Sequence, residues 1–369
     1  MILESELFVR RTVEVDKIKR VIVRGTNWVG DAVMTIPALR ELRRVLPTAH
    51  LTLATRSSTA ALFDEADFLD DLLIYDRAPR DLSATLRQTR EWRARKFDLA
   101  LLFQNAFEAA MIGFGARVPV RIGYAAQGRR PLLTHPIALP KWRSERHEVF
   151  YYLNLITGLE QFLYGRSAAV QHEPVFGLTV SDARRDKARA LLSKAGAHVD
   201  WPLVVICPGS TNSRAKRWPA DRFATLADKI SRDLEADVAL IGSRDELEVS
   251  ERVASLMEKR PLMLTGRTDL AEAVAVLSLS DVLITNDTGP AHIAAALERP
   301  TLVIFGPTNP VTTRPFSNVA EIIRHAPDCA PCMLRDCPID HRCMTAITPD
   351  EVFVRVGALI REHRVGVEA

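Results

Sequence analysis

The chain has 369 residues, with 49 Lys and Arg against 46 Asp and Glu, 47% hydrophobic and 26% charged residues. That length holds two ordinary domains with full cores, and the composition is that of a globular chain. A net charge of +3 is too small to argue for a nucleic-acid partner, no apolar run reaches the length of a membrane span, and the charged opening from Met1 to Arg20 lacks the apolar core of a signal peptide, so a cytoplasmic enzyme is expected.

Arg20 to Arg24 (RVIVR) reads as a short strand that ends in Gly25-Thr26-Asn27-Trp28-Val29-Gly30-Asp31. This loop is not the dinucleotide fingerprint, because the third glycine is missing and no acidic residue ends a clear second strand. A helix is expected over Ala32 to Leu46, interrupted at Pro37 and closed by Pro47. Asp31 at its start serves either as a first-turn acid favoured by the helix dipole or as a general base for an attacking hydroxyl. His50 to Thr55, Leu72 to Tyr75 and Leu99 to Phe103 read as further strands, and Asp81 to Lys96 as an Arg-rich helix with one face in water. Residues 1–180 carry 25 basic against 20 acidic side chains, and the remainder 24 against 26. The basic first half fits either an anionic partner or a solvated Arg-rich face.

A helical stretch around His147 to Leu163 precedes a join near Gln171 to Val180. Strands follow at Leu203 to Cys207, Val238 to Ile241, Leu262 to Leu264, Val282 to Thr285 and Leu302 to Phe305, with helices such as Pro219 to Leu234 and Glu246 to Met257 between them. Alternation in both halves predicts an α/β protein with two doubly wound parallel sheets. The domains are set at 1–175 and 176–348. The last segment, 349–369, reads as a helix able to pack on either half and is assigned back to the first.

Two loops of the second half stand out. Val282-Leu283-Ile284 runs into Asn286-Asp287-Thr288-Gly289-Pro290-Ala291-His292. Pro290 suits a first helical turn. The N–H groups at Thr288 and Gly289 then stand at a positive helix end and at a strand's carboxyl edge, where open α/β sheets bind ligands. Asp287 cannot favour a phosphate and must serve a neighbour such as a sugar hydroxyl. The earlier loop, Pro208-Gly209-Ser210-Thr211 through Lys216, lets backbone approach a phosphate and adds a compact cation. Thr265-Gly266 offers bare backbone to a base or ribose, and Gly242-Ser243-Arg244-Asp245 either lines the nucleotide pocket or is a polar turn with a helix cap. An anion cradle beside a carboxylate points to a nucleotide-sugar.

These residues resemble the ADP-heptose:lipopolysaccharide heptosyltransferases, and within them the heptosyltransferase II branch. The matching pieces are Trp28-Val29-Gly30-Asp31, Pro208-Gly209-Ser210 with Ala215-Lys216-Arg217-Trp218-Pro219, Leu264-Thr265-Gly266, the Asn286 to Leu297 stretch, and Phe305-Gly306-Pro307-Thr308. The resemblance implies a GT-B enzyme of two Rossmann-like domains facing a cleft, the first for acceptor and the second for ADP-L-glycero-D-manno-heptose. The acceptor it implies is the heptosyl-Kdo inner core on lipid A, met by peripheral contact with the inner membrane surface. It assigns Asp31 as catalytic base, and Ser210, Thr211, Lys216, Thr265, Gly266, Asp287, Thr288, Gly289 and His292 to the donor. Asn105 and Arg121 are assigned to the acceptor, although Ala106 stands where relatives often carry a serine. Arg77, Arg80, Arg87, Arg90, Arg93, Arg95 and Lys96 are candidates for acceptor or membrane anions. No catalytic metal is expected, since no Asp-x-Asp pair is present. Heptosyltransferase I or III, a nucleotide-sugar 2-epimerase and a non-catalytic nucleotide-sugar binder are the alternatives.

Cys329, Cys332, Cys337 and Cys343, spaced C-x2-C-x4-C-x5-C with His341 inside, are compatible with a structural zinc site or with reduced thiols in a loop. Cys207 sits on a strand as a small core residue.

Overall fold

The computed structural model of the chain describes residues 14–76 and 81–368. Arg77 and Arg80, and the first 13 residues of the charged opening, lie outside the described residues. The chain divides into two compact units, Met1–Phe176 and Gly177–Ala369.

The first unit is built on strands β1 (Arg20–Arg24), β2 (His50–Thr55), β3 (Asp71–Ile74), β4 (Leu99–Leu102), β5 (Val120–Tyr124) and β6 (His135–Ile137). They form one parallel sheet in the order β3-β2-β1-β4-β5-β6. The middle of its central strand β1 is apolar on both faces, as expected of a parallel sheet covered by helices: Val21, Ile22 and Val23 are completely buried. The second unit repeats the plan with β7 (Leu203–Cys207), β8 (Asp237–Leu240), β9 (Leu262–Met263), β10 (Val282–Asn286), β11 (Thr301–Ile304) and β12 (Ala320–Ile323). Its order is β12-β11-β10-β7-β8-β9, again all parallel.

Both orders are the doubly wound pattern in which the fourth strand lies beside the first. The chain reverses direction of growth there, and the crevice at the carboxyl ends of those two strands is where such sheets take ligands. In the first unit that point falls between β1 and β4, and in the second between β7 and β10. The loops singled out from the sequence, after β1, after β7 and after β10, all leave the sheets at these two points.

The expected helix from Ala32 to Leu46 is two helices, Val29–Met34 and Ile36–Val45, meeting at Thr35. Pro37 sits in the first turn of the second, where its missing N–H costs nothing. The Arg-rich helix is Leu82–Arg95, capped by Asp81 accepting from Ala84 N at 3.0 Å and anchored by a fully buried Trp92. The last helix, Pro349–Glu368, expected to be able to pack on either half, contributes to the core of the second unit. Val352, Val356, Leu359 and Ile360 join a core with Phe223, Leu226 and Ile230 of helix Ala220–Asp233.

Candidate functional site

In the second unit, β10 delivers Asn286 and Asp287 to the switch point. Asn286 is completely buried and works in two directions. Its Oδ1 accepts from Trp218 N at 2.9 Å, and its Nδ2 donates to Pro208 O at 2.8 Å and Gly209 O at 3.1 Å. One side chain thus fixes the ends of the loop that carries Lys216. Lys216 closes a short 3-10 turn, Arg214–Lys216, and its Nζ donates to Asp287 Oδ2 at 2.8 Å and to Asp287 O at 3.0 Å. Thr308, in the loop that follows β11, donates its hydroxyl to the same Oδ2 at 2.6 Å. The Asp287 carboxylate is therefore held from two sides through one oxygen. The pair is largely enclosed, with 4% of the Asp287 side chain and 25% of the Lys216 side chain exposed.

Helix Gly289–Ala296 starts beside this pair, with Pro290 in its first turn and Thr288 at its cap. Thr288 does not cap it with its side chain. The hydroxyl turns back to Asn286 O at 3.3 Å and lies 3.2 Å from Thr285 Oγ1. The helix start consequently keeps N–H groups for an anion. Gly209 leaves room for Glu246: a Cβ there would lie 2.3 Å from Glu246 Oε1 and displace that side chain. Glu246 is buried, and its Oε2 accepts from Ser243 N and Oγ at 2.9 and 3.0 Å. The Gly242 to Asp245 turn is thus a capping box, as its polar composition suggests. Thr211 is exposed and Ser210 buried, with Ser210 O taken by the Arg217 guanidinium at 3.2 and 3.0 Å.

Two of the residues expected at the donor, Thr265 and His292, are buried in the unit. The Thr265 hydroxyl is spent on Ser250 Oγ at 2.9 Å inside the core, so only backbone is on offer there; Gly266, left-handed at φ 70°, has its N–H bonded to Gly242 O at 3.0 Å. His292 is 4% exposed and lies within the helix as a core residue. Burial pushes the Cys207 thiol well up, in keeping with a small core residue.

In the first unit, Asp31 is the third residue of helix Val29–Met34, which opens at an extended Trp28 that is 57% exposed. Helix Glu148–Tyr164 packs against it, and Glu148 stands at its first position. Arg143 Nη2 is 3.9 Å from Glu148 Oε1. Burial, opposed by Arg143 and reinforced by the charge of Asp31, raises the Glu148 carboxyl to about 6.

Asn105 and Arg121, expected at the acceptor, are both engaged within the unit. Asn105 donates to Tyr151 OH at 2.7 Å and accepts from Arg129 Nη2 at 2.9 Å, which uses both ends of its amide. Arg121 donates to Leu132 O at 2.7 Å and to Val118 O, and lies over the Phe114 ring, so its guanidinium braces loops. The charge missed by sequence reasoning is Arg129. It is completely buried, bonded to the carbonyls of Tyr124 and Gln104, and lowered to about 10 by burial. Asn286, Thr308, Glu246 and Glu148 were missed too. Asn286 and Thr308 lie inside quoted motifs, but hydrogen-bonding across loops is invisible in a string, and Glu148 has no motif at all.

Cys337, Cys332 and Cys329 lie close enough to Cys343 for their charges to act on it. Among the described residues no group of three or more His, Cys, Asp or Glu side chains is arranged to hold a metal ion. The thiols are free, from exposed Cys329 to buried Cys343, whose pKa is raised by burial and then by the charges of Cys337, Cys332 and Cys329.

A fixed cation and an open helix start at the switch point of one doubly wound sheet, in a chain with two such sheets, is the build of a nucleotide-sugar glycosyltransferase of the GT-B class. The chain belongs to glycosyltransferase family 9, the heptosyltransferases, whose sequence profile matches residues 85–342. It is 26% identical to the lipopolysaccharide heptosyltransferase 2 of Salmonella typhimurium over 94% of this chain and 100% of that one. It is 27% identical to the Escherichia coli enzyme of the same name over 93% and 99%. Among solved structures, E. coli ADP-heptose lps heptosyltransferase II shares the fold with a TM-score of 0.79 at 23% identity, covering 94% of this chain and 99% of that one.

Proposed function

We propose that this chain transfers L-glycero-D-manno-heptose from ADP-heptose to the heptosyl-Kdo2-lipid A core of lipopolysaccharide, as the names of its relatives suggest for them. The observation that carries the reading in this chain is the Lys216–Asp287–Thr308 group at the start of helix Gly289–Ala296. A diphosphate placed there meets Lys216 Nζ and the N–H groups at Thr288 and Gly289, which stabilise the negative charge that grows as ADP leaves. Asp287, held through Oδ2, keeps Oδ1 for sugar hydroxyls. Ser210, Thr211 and the Thr265-Gly266 backbone complete the donor side. Asp31 takes the proton of the attacking acceptor hydroxyl, and a single displacement inverts the anomeric centre. Because fixed cationic groups meet the leaving charge, transfer is read as independent of a metal ion.

The test is ADP release from ADP-heptose with lipid A cores bearing no, one or two heptoses, each with and without EDTA. Turnover is expected with the one-heptose core and unchanged by EDTA. Preference for the bare Kdo core or the two-heptose core would assign the first or third transfer instead, and equal ADP release without any acceptor would overturn transfer altogether.

A further inference from the structure

The four-cysteine segment takes no part in the chemistry above, yet it is fastened to the donor site at several points. Met333 N donates to Pro307 O at 2.9 Å, one residue before Thr308. Ser213 Oγ lies 3.3 and 3.2 Å from the carbonyls of Leu334 and Arg335, and Ala215 N donates to Arg335 O at 2.9 Å. His341 Nε2 lies 2.6 Å from Ala215 O, so the imidazole donates to that carbonyl. Arg214 adds an exposed ion pair to Asp336 at 2.6 Å. Both backbone groups of Ala215, the residue directly before Lys216, are thus engaged by the segment. His341 itself has a left-handed φ of 57°, a conformation that a non-glycine residue keeps where its surroundings over-determine it. Behind it the segment presses onto the end of β11: a Cβ on Gly306 would lie 2.3 Å from Met344 Sδ.

We propose that residues 329–343 form a clasp across the two turns that present Lys216 and Thr308, and that His341 is the positioning residue that fixes the Lys216 turn. This rests on the reading of that turn as the diphosphate site. Lys216 has an alternative partner in Asp287, so where its backbone sits decides how well Nζ serves a phosphate. An imidazole N–H aimed at Ala215 O holds that backbone; a side chain with no donor there leaves a buried carbonyl unmet and lets the turn relax. The effect belongs to the donor, since no acceptor group is involved.

The experiment is calorimetric ADP binding and donor and acceptor kinetics on the full chain, for the unmodified protein and for His341→Ala, His341→Gln, Ser213→Ala and Lys216→Ala. His341→Ala is expected to weaken ADP binding and raise the donor KM by roughly five- to tenfold, the scale of one lost hydrogen bond, with the acceptor KM unmoved. Gln places an N–H where Nε2 stood and is expected to restore most of the loss. Ser213→Ala weakens ADP binding in the same direction and carries the test if His341→Ala melts early. ADP binding by both His341→Ala and Ser213→Ala at the unmodified affinity overturns the clasp, as does an equal rise in donor and acceptor KM. An unmodified protein that binds no ADP, or a Lys216→Ala variant that binds it normally, sinks the diphosphate reading instead.

Discussion

Glu148 is a carboxyl with little to support it. No hydrogen bond reaches it among the described residues, Arg143 stays 3.9 Å away, and the charge of Asp31 works against its ionisation. The folded chain therefore binds a proton at Glu148 more tightly than the unfolded chain, in which a glutamate titrates near 4.5. Between pH 4.5 and about 6 the folded state holds more protons, so stability falls as pH rises through that window. The penalty is absent below it and complete above it, on the order of 2 kcal/mol. Glu148→Gln removes the penalty. The variant is expected to melt a few degrees above the parent at pH 7.5 and level with it near pH 4.5, measured by calorimetry in matched buffers. A variant that melts lower at pH 7.5 would mean that the ionised carboxylate is stabilised by something other than Arg143.

At the scale of elements, the helix Leu82–Arg95 separates what a sequence displays from what only packing decides. That it is a helix with one face in water was legible; that Asp81 caps it and that Leu82 and Leu86 lie on the wet face was not. Nor was the fate of each arginine: Arg95 is tied to Asp71 at 2.6 Å and Glu91 at 3.2 Å, and Arg93 to Gly115 O at 3.0 Å. Arg90 remains on the exposed face with Leu82 and Leu86, which are 73% and 56% exposed. Apolar side chains beside a cation on one face suit the surface of an anionic bilayer, while no helix among the described residues is long and apolar enough to cross one. In vesicle flotation the protein is expected to bind phosphatidylglycerol-containing vesicles more than neutral ones and to release in high salt. Replacing Leu82 and Leu86 together by Ser is expected to cut binding roughly tenfold, about the transfer energy of two partly inserted leucines. Unchanged binding would remove this helix from the membrane face. Other elements escaped the sequence for plain reasons. β5 and β6 are short strands near one edge of the sheet, and β12 is a half-buried edge strand with Glu321 turned to Arg355, so their apolar signal is weak. The core-facing pattern of the last helix was visible, but which unit it faces depends on the partner surface of Phe223, Leu226 and Ile230.

Across the whole molecule, the same strand order appears twice, and each copy brings one set of reactive groups to its own switch point. The motifs were legible because they sit on loops, where few packing demands mask the chemistry. The supports were not, because Asn286, Thr308 and His341 act on residues 68, 21 and 126 positions away. The separation makes a division of labour that kinetics can read. Asp31 belongs to the first unit, and Lys216 and Asp287 belong to the second; in the proposed reaction the first takes the acceptor proton and the other two hold the donor. Asp31→Asn keeps the size and most hydrogen bonds of the side chain but removes its basicity. Turnover is expected to drop by about two orders of magnitude or more, with ADP affinity within about twofold of the parent. On the proposed reading Lys216→Ala removes the cation that meets both bound and leaving diphosphate, so affinity and turnover are expected to fall together. It also strips Asp287 of its cationic partner, which leaves an uncompensated carboxylate beside the diphosphate position. If Asp31→Asn weakened ADP binding as much as Lys216→Ala while turning over substrate at the parental rate, the base would have to be sought elsewhere and the two units would not divide the reaction in this way.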